Sequence, residues 1–242
     1  MKRYQVLLMN DIRHAGNDPV LMVGFLAPLI LILLTRFGFP MATHWLETSY
    51  SFDLTEFRDF TAVLLVVTIP MLLGMMTGLL MLDERDENVI SYFAVTPLMK
   101  RGYLSYRLTL PTILSTVLTA MFIAFSGLTE FNVEIWFVLL LLIMEAPWFA
   151  LLVAAFSGNK VEGLALYKIG ALLFIAGPIV VFFVPDVWLW VGVWIPTYWP
   201  ALIFLTGVSG KSFAAFIFFS IGFIFHVAIL LTMLRVFIRR VD

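Results

Sequence analysis

Long apolar segments alternate with short polar ones along nearly the whole chain. Six of the apolar segments are long enough to cross a membrane as helices, for which about 20 residues suffice. These segments cover residues 19–39, 60–82, 104–127, 134–156, 164–184 and 213–234. The pattern predicts an all-α membrane protein with six transmembrane helices in a single transmembrane domain, residues 1–242.

The segments outside the spans differ in character. An acidic polar loop is expected over residues 41–59, and a compact polar turn over residues 157–163. Residues 1–18 place apolar side chains on one helical face beside basic residues, which predicts an amphipathic helix lying at the membrane interface. Residues 185–212 are apolar but contain prolines and tryptophans, and indole rings concentrate at membrane boundaries. That composition is typical of a re-entrant or interfacial hairpin on the outer side, before the sixth span.

The composition supports this class of protein. Of the 242 residues, 62% are hydrophobic and 13% are charged, whereas soluble domains contain about 25% charged residues. The chain contains no cysteine, which excludes disulfides and thiolate metal sites. Its net charge of -1 leaves no basic stripe for nucleic acid, so we expect membrane lipid and no nucleic acid among its partners.

The distribution of basic residues predicts the orientation in the cell membrane, meaning the plasma or inner membrane. With six spans both termini are cytoplasmic, and positive charge then concentrates on the cytoplasmic side, as the positive-inside rule requires. The basic residues on or near that side are Lys2, Arg3, Arg13, Arg85, Lys100, Arg101, Arg107, Lys160, Lys168, Arg235, Arg239 and Arg240. Those left outside are Arg36, Arg58 and Lys211.

The densest cluster of charge lies in the loop over residues 83–103, between the second and third spans. Acidic residues open this loop, where they would complement the positive end of a helix that begins there. Val89, Ile90 and Phe93 fall on one helical face, and Pro97 ends the helix soon afterwards. The pattern predicts a short cytoplasmic amphipathic helix between the two spans. The alternative is a solvated loop with an incidental helix.

Two polar residues within the predicted spans are candidates for a substrate path. Glu145 lies near the middle of the fourth span, where an ionised carboxylate costs about 2.5 to 3.5 kcal/mol on insertion scales. It should therefore be protonated, paired or facing a wet cavity, and the structural alternatives are a bond to a neighbouring helix or pairing with Lys168. His226 lies in the sixth span, where a single histidine more often bonds one backbone carbonyl than senses pH.

No catalytic or metal-binding pattern is convincing. Gly207 to Ser212 resembles part of a phosphate-binding loop, but Leu205 stands where the first glycine is required. If ATP powers this protein, another chain must therefore bind it. The acidic cluster has no histidine-bearing companion, and neither Gly-x-Ser-x-Gly nor His-Glu-x-x-His occurs. We expect no catalytic residues, metal or cofactor on this chain, with an intramembrane hydrolase as a weaker alternative.

The run from Glu84 to Leu104 resembles the signature of ABC-2 type permeases, the membrane subunits of ATP-binding cassette exporters. In that family an acidic, arginine-containing start is followed by glycine, an apolar helix and a Thr-Pro or Ser-Pro end, here Thr96 and Pro97. The spacing matches without a gap, although Asn88 stands where glycine is usual. The six spans, the amphipathic N-terminal helix and the outer hairpin also fit the family.

The resemblance implies that the short helix is a coupling helix, which docks on a separate cytosolic ATPase. The residues expected to contact the ATPase subunit are Glu84, Arg85, Asp86, Glu87, Val89, Ile90, Phe93 and Pro97. The resemblance also implies a dimer of ATPase subunits carrying ATP and Mg²⁺. A second permease copy or a paralogue would complete the assembly, with the substrate path between the two permeases. The turn at residues 157–163 would make a smaller second contact.

The expected function is that of the permease subunit of an ABC exporter, which is not itself an enzyme. Its cargo would be hydrophobic or amphipathic, such as a drug-like molecule, a lipid or a peptide. An alternative is an ion-coupled secondary transporter with Glu145 as its proton site. Such transporters usually contain an internal repeat, which this chain does not clearly show.

Overall fold

The computed structural model describes residues 19–94, 99–130 and 132–241, which form a helical bundle. The α-helices of these residues are α1 Pro19–Leu33, α2 Phe39–Tyr50, α3 Arg58–Asp86, α4 Val89–Ala94, α5 Met99–Phe125, α6 Glu134–Phe156, α7 Lys160–Phe183, α8 Tyr198–Val208 and α9 Ser212–Val241. A π-helical turn, Leu34–Gly38, joins α1 to α2, and 3₁₀ helices cover Leu54–Phe57 and Asp186–Trp194. The predicted interfacial helix over residues 1–18 lies outside the described residues.

Six helical segments are long and apolar enough to cross a membrane, which is the number predicted. They run over Leu26–Tyr50, Leu54–Asp86, Gly102–Phe125, Glu134–Phe156, Lys160–Phe183 and Ser212–Arg240. The prediction of an all-α membrane protein with six membrane-spanning helices is therefore confirmed. Between the fifth and sixth of them lies the shorter apolar helix α8.

The polar loop expected over residues 41–59 is wrong in its first part, because α2 continues the first span to Tyr50. The π-helical turn that precedes Pro40 absorbs the break that proline causes in a regular hydrogen-bond ladder. The hydroxyl of Thr43 donates to the carbonyl of Phe39 one turn earlier, so this polar side chain is satisfied within the helix. The helix ends only at Ser51, whose φ of 54° is left-handed.

Helix α6 forms the centre of the bundle. Its most apolar stretch is 72% buried, compared with 67% for α3 and only 17% for the first and last spans. The helices α3, α5, α7, α8 and α9 all pack against α6. An apolar helix of this kind cannot be placed by an amphipathic pattern, because it has no polar face.

Small residues allow α3 and α6 to approach closely. Gly74 and Gly78 lie one turn apart on α3 and face Ala146 and Ala150 on α6. A Cβ atom at Gly74 would lie 2.5 Å from the carbonyl oxygen of Ala146, and one at Gly78 would lie 2.9 Å from that of Ala150. Close backbone approach of this kind maximises van der Waals contact, which drives helix association where lipid removes the hydrophobic effect.

A second set of glycines, spaced seven residues apart, lies on the buried face of α7. Gly163 packs against leucine side chains of α3, and Gly170 packs against the ring of Phe149 on α6. Gly177 leaves room for the backbone at the start of α8, next to Tyr198. The spacing of seven keeps these positions on one face of the helix, so α7 lies close to three different elements.

The segment over residues 185–212 does not form one long helix. A 3₁₀ helix with exposed tryptophans comes first, and the buried helix α8 follows. The indole Nε1 of Trp199 donates to the carbonyl of Val193 at 3.1 Å, which ties the two pieces together. The hydroxyl of Thr197 donates to the carbonyl of Phe174 at 2.6 Å, which ties them to α7. The segment is therefore fastened to the bundle at both of its helical pieces.

The packing of α3 on α6 generates a stability prediction. We expect Gly74→Ala to lower the free energy of unfolding by about 1 to 3 kcal/mol, because the added methyl group would overlap the backbone of Ala146. The matched control is Gly38→Ala, where a Cβ atom meets nothing within 4 Å. Unfolding of both variants in detergent, followed by tryptophan fluorescence, measures the difference. Equal stability of the two variants would contradict the packing described here.

Candidate functional site

The charged segment between the second and third spans begins as the end of α3. This helix runs to Asp86, a turn contains Glu87 and Asn88, and the separate helix α4 starts at Val89. The expectation that the acidic residues open a new helix near Glu84 is therefore wrong. They lie at the carboxyl end of α3, where the helix dipole disfavours negative charge. Their stability must come from other charges.

Two of these acids form ion pairs with cations from other helices. The Oε2 atom of Glu84 accepts hydrogen bonds from the hydroxyl of Tyr103 at 2.6 Å and from Nε of Arg107 at 2.8 Å. The guanidinium of Arg107 also pairs with the other oxygen of Glu84, so the contact is bidentate. Asp83 pairs with Lys160 at 2.6 Å between Oδ2 and Nζ. These contacts fasten the end of α3 to α5 and α7.

Arg85 points in a different direction, to the carboxyl end of α6. Its guanidinium donates to the carbonyls of Ser157 at 2.9 Å and Gly158 at 2.8 Å. Arg240 on α9 donates to the carbonyl of Ala155. The last carbonyls of a helix have no partner within it and carry partial negative charge, so two cations stabilise this end. The turn at residues 157–163 therefore lies directly beside the charged segment.

Asn88 has a physical reason to stand where ABC-2 type permeases usually have glycine. Its φ is 59°, in the left-handed region that glycine adopts without strain. Asparagine is one of the few other residues that visit this region routinely. This conformation makes the tight turn that separates α3 from α4, so the substitution keeps the turn.

Helix α4 has a buried face and an exposed face. Ile90 is 2% exposed within an apolar cluster that includes Tyr103 and Phe237. The ring of Phe93 lies 5.5 Å from the ring of Tyr103. In contrast, Tyr92 is 70% exposed.

The eight residues expected to contact an ATPase are divided by this arrangement. Glu84, Arg85, Ile90 and Phe93 contact the bundle, Val89 is half-buried, Asp86 and Glu87 are exposed, and Pro97 lies outside the described residues. The exposed surface of the segment, which we call the α3–α4 face, thus contains Asp86, Glu87 and Tyr92. Whether a partner binds there stays a prediction.

The two polar residues of the spans lie together in the centre of the bundle. Glu145 and His226 are 0% and 2% exposed, and Nε2 of the histidine lies 3.5 Å from Oε1 of the carboxyl group. The other partner considered for Glu145, Lys168, has an exposed side chain on α7. The pairing joins α6 to α9 across 81 residues of chain, and no local spacing indicates it.

Basic residues also occur at the opposite end of the bundle. The guanidinium of Arg58 donates to the carbonyl of Gly127, at the end of α5, at 3.2 Å. The side chain of Arg36 lies beside the same glycine. These two arginines are therefore separated by the length of the bundle from Arg85 and Arg107.

Sequence reasoning missed several partners of the charged segment, namely Tyr103, Arg107, Lys160 and Arg240. One signal was present in the sequence. Arg107 lies within an apolar stretch, where a cation requires a pairing partner. The residue that pairs with it depends on how α3 and α5 pack.

Six apolar helical segments, of which one lies buried among the other five, define a polytopic membrane protein, with the ion pairs of Asp83 and Glu84 at one end of the described bundle. A family model described as "Fluoroquinolones export permease protein Rv2686c-like" matches residues 11–234. The chain therefore belongs to the Rv2686c-like family of fluoroquinolones export permeases. This membership confirms the recognition of the chain as an export permease.

Two curated relatives from Mycobacterium tuberculosis are similar to this chain. They are named fluoroquinolones export permease protein Rv2686c, from strain H37Rv, and fluoroquinolones export permease protein MT2760, from strain CDC 1551. Each is 29% identical over 200 residues, which cover 81% of this chain and 79% of the relative. Both names describe transport and not catalysis. No solved structure matches the chain significantly.

The charge network predicts different effects for two neighbouring glutamates. We expect Glu84→Lys to lower the stability of the permease by about 3 kcal/mol, because it leaves Arg107 facing a like charge. The matched control, Glu87→Lys, changes an exposed residue and should remain within about 0.5 kcal/mol of the wild type. Thermal unfolding of the two purified variants measures both effects. If Glu84→Lys and Glu87→Lys had equal thermal stability, the ion pair of Glu84 and Arg107 would not contribute to the stability of the permease.

Proposed function

We propose that this chain is the membrane permease subunit of an ABC exporter. A separate cytosolic ATPase dimer would bind ATP and Mg²⁺ and hydrolyse the nucleotide, so the permease itself is not an enzyme. The observation that carries the proposal is the α3–α4 face, an exposed acidic and aromatic surface at the end of the bundle. Family membership and the resemblance to ABC-2 type permeases support the same function.

The surroundings of the α3–α4 face suit it to transmit force. Glu84 and Asp83 tie the end of α3 to α5 and α7, while Arg85 grips the end of α6. A displacement of the face would therefore move four membrane helices together. In this proposal α4 is the coupling helix. The residues that contact the ATPase are Asp86 at the end of α3, Glu87 in the turn and Tyr92 on the exposed side of α4. Glu84, Arg85, Ile90 and Phe93 act by holding that surface in place.

We place the α3–α4 face, and both termini, in the cytoplasm. Arg85, Arg107, Lys160 and Arg240 gather at that end of the bundle, and cytoplasmic loops carry an excess of lysine and arginine. The whole chain then acts as a single permease domain in the plasma or inner membrane. The hairpin that contains α8 lies near the outer face in this orientation.

The proposed cargo is a hydrophobic or amphipathic drug-like molecule. Both curated relatives are named as fluoroquinolone exporters, and we extend that cargo class to this chain. A second permease copy or a paralogue would form the other half of the assembly, with the substrate path between the two. Glu145 and His226 lie inside one permease and are candidates for polar positions along that path.

Binding of the ATPase tests the α3–α4 face directly. We expect the triple variant Asp86→Lys, Glu87→Lys and Tyr92→Ala to lose the ATPase from a detergent pull-down of the tagged chain. The physical reason is that all three side chains are exposed and their charge or ring area is removed from the contact. The readout is the amount of ATP-binding subunit recovered, measured by mass spectrometry.

The control for this pull-down alters two glutamates and a tyrosine at the other end of the bundle. Glu47→Lys, Glu56→Lys and Tyr50→Ala also replace two exposed carboxylates and one exposed tyrosine. This variant should recover the ATPase at the wild-type level. If the test variant recovered as much ATPase as this control, the α3–α4 face would not be the contact with the ATPase.

Transport in membrane vesicles separates the exporter from its rival. The ion-coupled alternative gains one observation, the buried pair of Glu145 and His226. We expect inside-out vesicles containing the permease and its ATPase to accumulate a fluorescent fluoroquinolone only when ATP is supplied. An uncoupler should leave that uptake intact, because hydrolysis drives it. Uptake that does not depend on ATP and is abolished by the uncoupler would favour the proton-coupled transporter.

A further inference from the structure

The hydrogen bond on the far side of His226 assigns its tautomer. Nδ1 lies 2.7 Å from the carbonyl oxygen of Gly222, one turn earlier on α9. A carbonyl oxygen only accepts, so Nδ1 must carry a hydrogen. In the neutral ring Nε2 is then a bare acceptor. This acceptor faces the carboxyl group of Glu145.

An ionised carboxylate and a bare ring nitrogen are both acceptors and repel each other. A proton between Nε2 and Oε1 removes the repulsion, whether it resides on the carboxyl group or on the ring. Either arrangement leaves the pair without net charge. Loss of this proton would bury an unpaired anion, and gain of a second would bury an unpaired cation, and both states are costly away from water.

The surrounding helices offer no other charge to compensate the pair. The apolar stretch of α3, residues 60–82, contains no ionisable residue, and that of α9 contains only His226 before its terminal arginines. On α5, Tyr103, Tyr106 and Arg107 lie near the end where Tyr103 and Arg107 bond Glu84. On α6, Glu134 lies at the first residue, about three turns from Glu145. The other ionisable side chains on the packed elements are Lys160, Glu162, Tyr167 and Lys168 on α7 and Tyr198 on α8. Among the described residues none of these groups forms a hydrogen bond or an ion pair with Glu145 or His226, and Lys168 is exposed.

We propose that Glu145 and His226 form a binding site for a single proton that fastens α6 to α9 in the centre of the bundle. Both groups are closed off from solvent, so the proton exchanges only when these two helices separate. The site thereby makes the α6 and α9 interface sensitive to pH. This inference concerns the permease chain by itself and holds for either mode of energy supply.

A double-mutant cycle tests whether the two groups act as one site. Glu145→Leu and His226→Leu each leave a buried polar partner unsatisfied, whereas the double variant leaves none. We expect the double variant to be much more stable than the sum of the single effects predicts. The matched cycle pairs His226→Leu with Glu134→Leu, the other buried glutamate of α6, and should be additive. Additivity in both cycles would overturn the proposal.

The proton count is tested by unfolding the full chain in detergent at several pH values. In the unfolded chain glutamate and histidine titrate near about 4.3 and 6.5, whereas the folded pair keeps one proton. Stability should therefore be level between these values. Above about pH 6.5 only the folded state still holds the proton, so the unfolding equilibrium constant should rise tenfold per pH unit.

Glu145→Gln serves as the conservative variant for the same measurement. Its amide donates to Nε2 without a titrating proton, so folded and unfolded states both hold none above about pH 6.5. Its stability should be level there and fall below that pH, opposite to the wild type. His44→Gln, at an exposed histidine, should keep the wild-type profile above about pH 6.5. Parallel curves for the wild type and Glu145→Gln above pH 6.5 would refute the single-proton site.

Discussion

The close packing of α3 on α6 is the contact on which the rest of the structure depends. Glycine on one helix lies against alanine on the other, so the two backbones meet with few side-chain atoms between them. In lipid the helices gain no hydrophobic energy from association, and contact of this density supplies the attraction instead. It makes α6 the central helix of the bundle. As a result Glu145 lies at the centre, and the carboxyl end of α6 lies within hydrogen-bond distance of Arg85.

The charges at that end follow from a conflict within α3. Its acidic last turn opposes the helix dipole, and cations from α5 and α7 offset the conflict. Arg85 does not pair with these acidic residues in the same helix. Its guanidinium donates instead to the carbonyl of Ser157, at the carboxyl end of α6. The end of α3 is thereby held against three other helices, α5, α6 and α7. Rigidity of this kind is what a force-transmitting contact needs, because a soft loop would absorb the displacement.

The two polar features of the permease are suited to different steps of transport. The α3–α4 face is open to solvent, and in our proposal it binds the ATPase. The pair of Glu145 and His226 is closed and changes only when α6 and α9 move apart. We propose that the face receives the motion of the ATPase and that the buried pair responds to the separation of α6 and α9.

The all-α class, the number of spans and the charged segment could be predicted from the sequence, because hydropathy over about 20 residues is a local property. The sequence did not determine that α3 runs past Glu84, since acidic residues suit either the start of a helix or a well-paired end. The partners of Glu84, Arg85 and Glu145 also came only from the tertiary structure. A uniformly apolar helix such as α6 has no polar face to orient it. Its neighbours are chosen by the fit of small residues across distant segments, which no local pattern contains.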